Sequence, residues 1–185
     1  MIEIMENAMD IEEKFEQACK DIDHNFLDKA KPALEEILQE DPDNAAAMNK
    51  LGVICIRSGM QDQAREWFEA ALSIDPEYAP SLVNIGSIYA ETGERDKAMQ
   101  LYEAAAAKDE DCYLAYYNIS VLHKQAGNYE LYMQNLKKYR RCLKKSINER
   151  ERSRVGRIKA RSGNWLNTAL FAILIIFFIV FFINK

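Results

Sequence analysis

The chain has little from which to build a catalytic or metal site. Only two histidines, His24 and His123, occur in 185 residues, and they lie far apart in the sequence. The four cysteines have no paired short spacing, which argues against both a zinc site and a disulfide framework. No glycine-rich phosphate loop or metal-binding motif is present. We therefore expect a protein that is not an enzyme, uses no cofactor or metal ion and has no small-molecule substrate.

The N-terminus also lacks a secretory signal. Residues 1–10 hold no long apolar run, and they carry acids where such a signal needs bases. The unpaired cysteines fit a reducing compartment, in which free thiols persist. Nothing in this segment predicts export of the chain.

What the chain does have is an internal repeat. Gly59, Gly93 and Gly127 are 34 residues apart, and the residues around them recur in the same register. The best unit contains Met48, Leu51, Gly52, Cys55, Ala64, Phe68, Ala71 and Pro76, and the next contains Leu82, Ile85, Gly86, Tyr89, Ala98, Tyr102 and Ala105. A third copy contains Tyr116, Ile119, Ser120, His123 and Leu136. Repeats of this length stack so that each covers its neighbour's apolar face and a long concave surface remains.

Each unit is predicted to be a pair of antiparallel helices. In the best unit, a helix over about residues 45–58 places its apolar side chains on one face at spacings of three and four. Gly52 lets the second helix, about residues 61–74, approach closely, and Gly59 supplies a left-handed position at the end of the first helix. Pro76 ends the pair because proline cannot continue a helix.

This pattern resembles the tetratricopeptide repeat family, in which Leu-Gly, an aromatic residue, a small alanine, a second aromatic residue and a terminal proline stand at these offsets. The resemblance implies an all-α, right-handed helix-pair solenoid. The predicted repeats cover residues 45–78, 79–112 and 113–145, with a degenerate repeat or cap at 11–44 after an N-terminal segment at 1–10. In the degenerate unit, Lys14, Gln17 and Asp21 stand at offsets that are apolar elsewhere, which suits a polar cap.

The resemblance also implies a peptide-binding groove, because the first helix of each repeat lines the concave surface in this family. The matching residues are Asn49, Val53, Ile56, Val83, Ser87, Ala90, Tyr117, Val121 and Lys124. Such a groove is largely apolar and suits an extended or helical segment of a protein partner. Some family members grip an acidic chaperone C-terminus with asparagine and basic residues, but only Asn49 matches that clamp. Residues 1–10 are an alternative occupant of the groove.

A second prominent feature is the apolar run near the end of the sequence. Fifteen apolar residues, from Ala169 to Ile183, follow one another without a charge. Residues 165–183 would form a helix of about 28 Å, close to the roughly 30 Å thickness of the hydrocarbon layer. The sequence therefore predicts a transmembrane helix over 165–183, and the two residues that follow it, Asn184 and Lys185, make it similar to a C-terminal tail anchor.

Charge is distributed unevenly before this run. Residues 137–161 carry twelve bases against two acids, a net charge of +10, whereas residues 1–136 carry eleven bases against 27 acids, a net charge of −16. Bases beside a span stay in the cytoplasm, so the repeats are predicted to face the cytoplasm as part of a single-pass membrane protein. The linker at 146–164 and the bases before it could bind anionic membrane lipid. The membrane-surface bases are Lys144, Lys145, Arg150, Arg152, Arg154, Arg157, Lys159 and Arg161.

Other interpretations of these bases are a solvated topology signal or a nucleic-acid arm, and the absence of interleaved aromatic residues argues against nucleic acid. Together, these features predict a membrane-anchored adaptor or scaffold whose repeats recruit a protein partner. The alternatives are a structural subunit of a membrane protein complex and a receptor for imported proteins.

Overall fold

The fold consists of helices arranged in consecutive pairs. The computed structural model describes residues 2–153 and 155, with side chains from residue 11 onward. The helices within this range are α1 (Ile2–Asp23), α2 (Leu27–Glu40), α3 (Ala45–Arg57), α4 (Gln61–Ile74), α5 (Ala79–Glu91), α6 (Arg95–Lys108), α7 (Tyr113–Gln125) and α8 (129–153). The chain divides into two units, the first ending at Cys142 and the second beginning at Leu143, and helices α1–α7 with residues 129–142 of α8 lie in the first.

Contacts between helices follow the order of the chain. In the first unit, α1 packs most extensively on α2, α3 on α4, and α5 on α6, while α2 to α3, α4 to α5 and α6 to α7 form the contacts between pairs. Each helix pair therefore covers an apolar face of the pair before it. The predicted all-α, helix-pair solenoid is confirmed.

The turns within the pairs share one backbone conformation. Gly59, Gly93 and Gly127 have φ values of 76°, 86° and 77°. After each glycine, the next amide donates to the carbonyl five residues earlier, for example Met60 N to Cys55 O at 2.9 Å. In the first pair Asn25, one period before Gly59, has φ 62° and is followed by the same hydrogen bond. Asparagine tolerates this left-handed position better than most residues, so the first unit keeps the turn without glycine.

Helices within a pair touch closely at one site in each repeat. A methyl group added to Gly52 would lie 2.7 Å from Phe68 Cδ1, and one added to Gly86 would lie 2.7 Å from Tyr102 Cε1. Both rings are buried, so neither can move aside easily. The equivalent positions in the first and last pairs hold Ala18 with Leu34 and Ser120 with Leu136. A residue with a Cβ atom thus occurs where the facing residue is leucine, and glycine occurs where it is aromatic.

The first pair is more regular than its sequence predicts. Helix α1 buries Ala18 and Ile22, and it half-buries Ile11 and Phe15, against α2 and α3. The apolar face of α1 is formed by residues next to the polar positions. Ala18 directly follows Gln17, and Ile22 directly follows Asp21. Residues 2–10 belong to the same helix as the rest of α1.

The predicted membrane localisation requires correction. Among the described residues, no helix combines the length and the apolar character that crossing a membrane requires. The predicted transmembrane helix at 165–183 lies outside the described residues. The assignment as a tail-anchored, single-pass membrane protein with a cytoplasmic repeat domain is therefore not retained.

We expect Gly52→Ala to destabilise the fold by about 1–3 kcal/mol, because the new methyl group overlaps the buried Phe68 ring. In a Phe68→Leu background, which reproduces the pairing of Ala18 with Leu34, the same substitution should cost much less. Equilibrium urea denaturation of the four proteins in this double-mutant cycle measures the coupling.

Gly59→Ala is the control, because no atom lies within 4 Å of its added methyl group and its cost arises from φ alone. Phe68→Leu should not relieve that cost. Strictly additive effects of Gly52→Ala and Phe68→Leu would contradict the close-contact explanation.

Candidate functional site

The predicted groove residues lie on α3, α5 and α7, three on each helix, at equivalent positions one period apart. They differ in accessibility. Ile56 and Tyr117 are 41% and 45% exposed, and Lys124 is also exposed. Val53, Ser87, Ala90 and Val121 are half-buried, whereas Asn49 and Val83 are only 4% and 3% exposed. The structure therefore places seven of the nine residues where a partner can reach them.

Asn49 is part of the contact between two repeats. Its Oδ1 accepts a hydrogen bond from Ser81 Oγ at 3.0 Å and another from Asn84 Nδ2 at 2.8 Å, and both donors lie on α5. A buried, doubly bonded carbonyl oxygen is occupied in holding α3 to α5. This finding removes the one residue that matched a chaperone clamp.

Val83, one period after Asn49, makes the corresponding contact in the next interface without polar atoms. It belongs to a buried cluster that includes Ala115 and Ile119 of α7. Ala115 is the equivalent of Ser81, so the same pair of positions joins the helices in both interfaces, with polar residues in one and apolar residues in the other. One uses an Asn-Ser hydrogen bond, and the other uses a Val-Ala contact.

Ser87, one of the predicted groove residues, is hydrogen-bonded to the second helix of its repeat. Tyr102 Oη donates to Ser87 Oγ at 3.2 Å, and Ser87 Oγ donates to the carbonyl of Val83 at 3.0 Å. Burial, more than any other cause, raises the pKa of Tyr102, so its hydroxyl stays neutral and able to donate. The half-buried serine side chain is therefore held in place.

The third repeat carries a group of tyrosines, of which the groove pattern includes only Tyr117. The ring of Tyr139 on α8 lies 5.3 Å from that of Tyr117 and 6.4 Å from that of Tyr113, measured between centroids. Lys124 Nζ lies 5.8 Å from the centroid of Tyr132. Sequence reasoning missed Tyr139. A signal was present in the repeat alignment: Tyr132 and Tyr139 stand where the second helix of the preceding repeat has Ala98 and Ala105.

No constellation for chemistry is found in the described part of the chain. Burial raises the pKa of the Cys55 and Cys112 thiols, which keeps both protonated and unreactive at neutral pH. The described residues contain no group of three or more metal-ligating side chains. That the protein is not an enzyme stays a prediction.

The predicted membrane-surface bases are only partly described. Lys144, Lys145, Arg150 and Arg152 are helical and lie in the second unit, and their side chains are exposed. Arg154, Arg157, Lys159 and Arg161 lie outside the described residues. No observation on the described bases supports lipid binding.

Comparison with protein families identifies the repeats. Two models described as tetratricopeptide repeat match the chain, one over residues 15–79 and the other over residues 62–120. Together they extend from within α1 to within α7, including the first pair, whose sequence was the least regular. A comparison with curated proteins gave no match.

Solved structures share the fold. A thermophilic tetratricopeptide repeat protein of Thermus thermophilus aligns with a TM-score of 0.63 at 22% identity, covering 80% of this chain and 82% of its own. PilW, a type IV pilus biogenesis factor, aligns with a TM-score of 0.59 at 26% identity, covering 70% and 60%. A tetratricopeptide repeat protein of Parabacteroides merdae aligns with a TM-score of 0.52 at 28% identity, covering 69% and 51%.

We expect Asn49→Val to cost about 1–3 kcal/mol of stability, because the Ser81 hydroxyl then loses its buried acceptor. Adding Ser81→Ala should restore most of the loss, because the pair then matches Val83 and Ala115 of the next interface. Urea denaturation followed by circular dichroism measures both. A double variant as unstable as the sum of the single variants would contradict this account of the interface.

Proposed function

The chain is a tetratricopeptide repeat protein, and from this premise we propose that it is an adaptor or scaffold that holds a segment of a protein partner against its concave face. The tetratricopeptide fold is generally that of a protein–protein interaction module. The finer role rests on the residues that stay accessible on α3, α5 and α7.

The observation that carries the proposal is two rows of accessible residues on α3, α5 and α7, on the face that the family resemblance assigns to the groove; we call these residues the inner surface. Val53, Ser87 and Val121 form one row, and Ile56, Ala90 and Lys124 form the other. All six are half-buried or exposed, whereas most neighbouring residues on the same helices are buried. Four of the six are apolar, so a partner gains affinity chiefly by burying apolar surface.

The dimensions of the inner surface limit the length of the segment that it can hold. Adjacent packed helices are about 8–10 Å apart, so the distance from α3 to α7 is roughly 20 Å. An extended segment of about six residues covers that distance at about 3.3 Å per residue. A helix of about 13 residues covers it at about 1.5 Å per residue. Either form fits the partner classes that apolar grooves accept.

Polarity along the inner surface favours one orientation of the segment. The α3 end presents Val53 and Ile56, and the α7 end presents Val121 with the base Lys124. An acidic side chain at one end of the segment would pair with Lys124, while apolar side chains at the other end would cover Ile56. Holding one partner in this way raises its effective concentration near anything else that the chain binds.

The test compares two isoleucines of almost equal exposure. Ile56 on the inner surface is 41% exposed, and Ile74 at the end of α4 is 42% exposed. We expect Ile56→Lys to weaken partner binding by about tenfold or more, because it places a desolvated charge at an apolar contact. Ile74→Lys should leave binding unchanged.

Affinity purification of the full chain and both variants, followed by titration calorimetry with each recovered partner, measures the difference. Partners lost with Ile56→Lys and kept with Ile74→Lys support the proposal. Equal recovery of all partners by both variants would sink it. Many partners of uniformly weak affinity would instead favour the receptor alternative.

A further inference from the structure

The last helix pair, α7 and α8, has a face equivalent to the one that α7 covers on the preceding pair, α5 and α6. In that repeat, one buried apolar cluster joins α5 and α6 to α7; it includes Ala79, Val83, Ala98 and Ala105, and Met99 and Ala106 pack against it. One period later, the same positions hold Tyr113, Tyr117, Tyr132, Met133, Tyr139 and Arg140. We call these six residues the terminal face, and all of them lie in the first compact unit.

The terminal face is more accessible than its predecessor. Val83 is 3% exposed, whereas its equivalent Tyr117 is 45% exposed. Ala98 and Ala105 are fully buried, whereas their equivalents Tyr132 and Tyr139 are half-buried, and Met133 is 47% exposed where Met99 is half-buried. Tyr139 contacts Tyr113 and Tyr117, so the three rings form one continuous aromatic surface. Tyrosine and methionine are enriched where proteins bind one another, and contiguous exposed apolar patches mark such sites.

The opposite end of the solenoid is built differently. In α7, Ala115, Ile119 and Leu122 are the buried residues that pack on the preceding pair. The same positions in α1 hold Glu13, Gln17 and Lys20, all exposed. A polar outer face of this kind is what keeps the end of a solenoid soluble. Within the residues that the structure describes, only the first end carries such a cap, so the tyrosines of the terminal face require a different explanation.

Charge around the terminal face is basic. Lys124 lies over the Tyr132 ring, and Lys137, Arg140 and Arg141 are exposed on α8. Within the described part of the chain, none of these four bases forms a salt bridge. Residues 1–136, in contrast, carry a net charge of −16. A partner of acidic character is therefore steered to this end of the molecule and away from the rest of the first unit.

We propose that the terminal face binds an acidic α-helix of a partner protein, seated where the first helix of a further repeat would lie. Because tyrosines replace alanines on this face, the incoming helix should present small side chains opposite Tyr132 and Tyr139, with acids at its margins opposite Lys124 and Arg140. A second copy of this chain meets the charge requirement, because its α1 carries eight acids against two bases. It does not meet the requirement for small side chains, because the outer face of its α1 presents Glu13, Gln17 and Lys20. The terminal face shares no residue with the inner surface, although Lys124 of the inner surface lies over the Tyr132 ring.

The probe is a synthetic helical peptide of roughly 18 residues, with alanine along one face and glutamate on both flanks, added to the full chain. Fluorescence anisotropy at low salt should show saturable binding. Replacing each glutamate by lysine should weaken binding by at least about tenfold. Equal binding of both peptides, or binding of neither, would overturn the proposal.

Two exposed side chains on α8 provide a matched pair of variants. Met133 is 47% exposed and equivalent to Met99, which packs against the buried cluster that joins α5, α6 and α7, whereas Leu131 is 41% exposed and equivalent to the exposed Lys97. Met133→Glu should weaken binding of the acidic peptide by about tenfold, and Leu131→Glu should not. Ile56→Lys should leave this binding intact, which separates a failure here from a failure of the inner surface.

Photo-crosslinking identifies the occupant directly. With benzoylphenylalanine in place of Met133, the full chain should crosslink to the acidic peptide. Crosslinks that persist instead to residues 156–185 of the same chain, to a second copy, or to an added single-stranded oligonucleotide would each assign the face to another occupant and overturn the proposal.

Discussion

The close approach of the two helices in each pair is the contact on which the rest of the repeat domain depends. Gly52 and Gly86 leave no room for a side chain against Phe68 and Tyr102, so the helices meet at a single distance. In the first and last pairs, leucine replaces the aromatic ring, and Ala18 and Ser120 replace glycine. The combined volume at the contact is conserved within the molecule although neither residue is. Dense interiors require this compensation, because a methyl group added without it has no space to occupy.

Once the pairs are formed, stacking divides the first helices into residues that join repeats and residues that face outward. Asn49 and Val83 join repeats, one through hydrogen bonds and the other through apolar contact. The six residues of the inner surface lie beside them and stay accessible. Because no further repeat is described after α8, the joining positions of the last pair become a surface in their own right, rich in tyrosine and rimmed by bases. The two proposed binding surfaces thus arise from one repeated geometry.

Much of the repeat domain could be predicted from the period alone. The turns at Gly59, Gly93 and Gly127, the paired helices and their apolar faces follow from local preferences that a sequence displays directly. The sequence underestimated the regularity of the first pair, because Asn25 stands in place of the turn glycine and Ala18 in place of Gly52 at the close contact between the helices. Two of the nine predicted groove residues, Asn49 and Val83, proved to be buried, since a family offset states which helix face a residue occupies but not how closely the next helix covers it. The membrane localisation was predicted from residues outside the described structure, and no described helix supports it.

By itself, the sequence determined the repeat length, the ends of the helices and the uneven charge of the chain, because each of these depends on residues close together or on simple counting. Tertiary structure alone decided which equivalent positions are buried, which polar atoms are satisfied across repeats, and which tyrosines meet. Those properties depend on contacts between residues about 16 to 35 positions apart in sequence, such as Asn49 with Asn84 and Tyr117 with Tyr139. Whether a residue at the interface between two repeats is buried depends on both repeats, so the sequence of one repeat alone does not determine it.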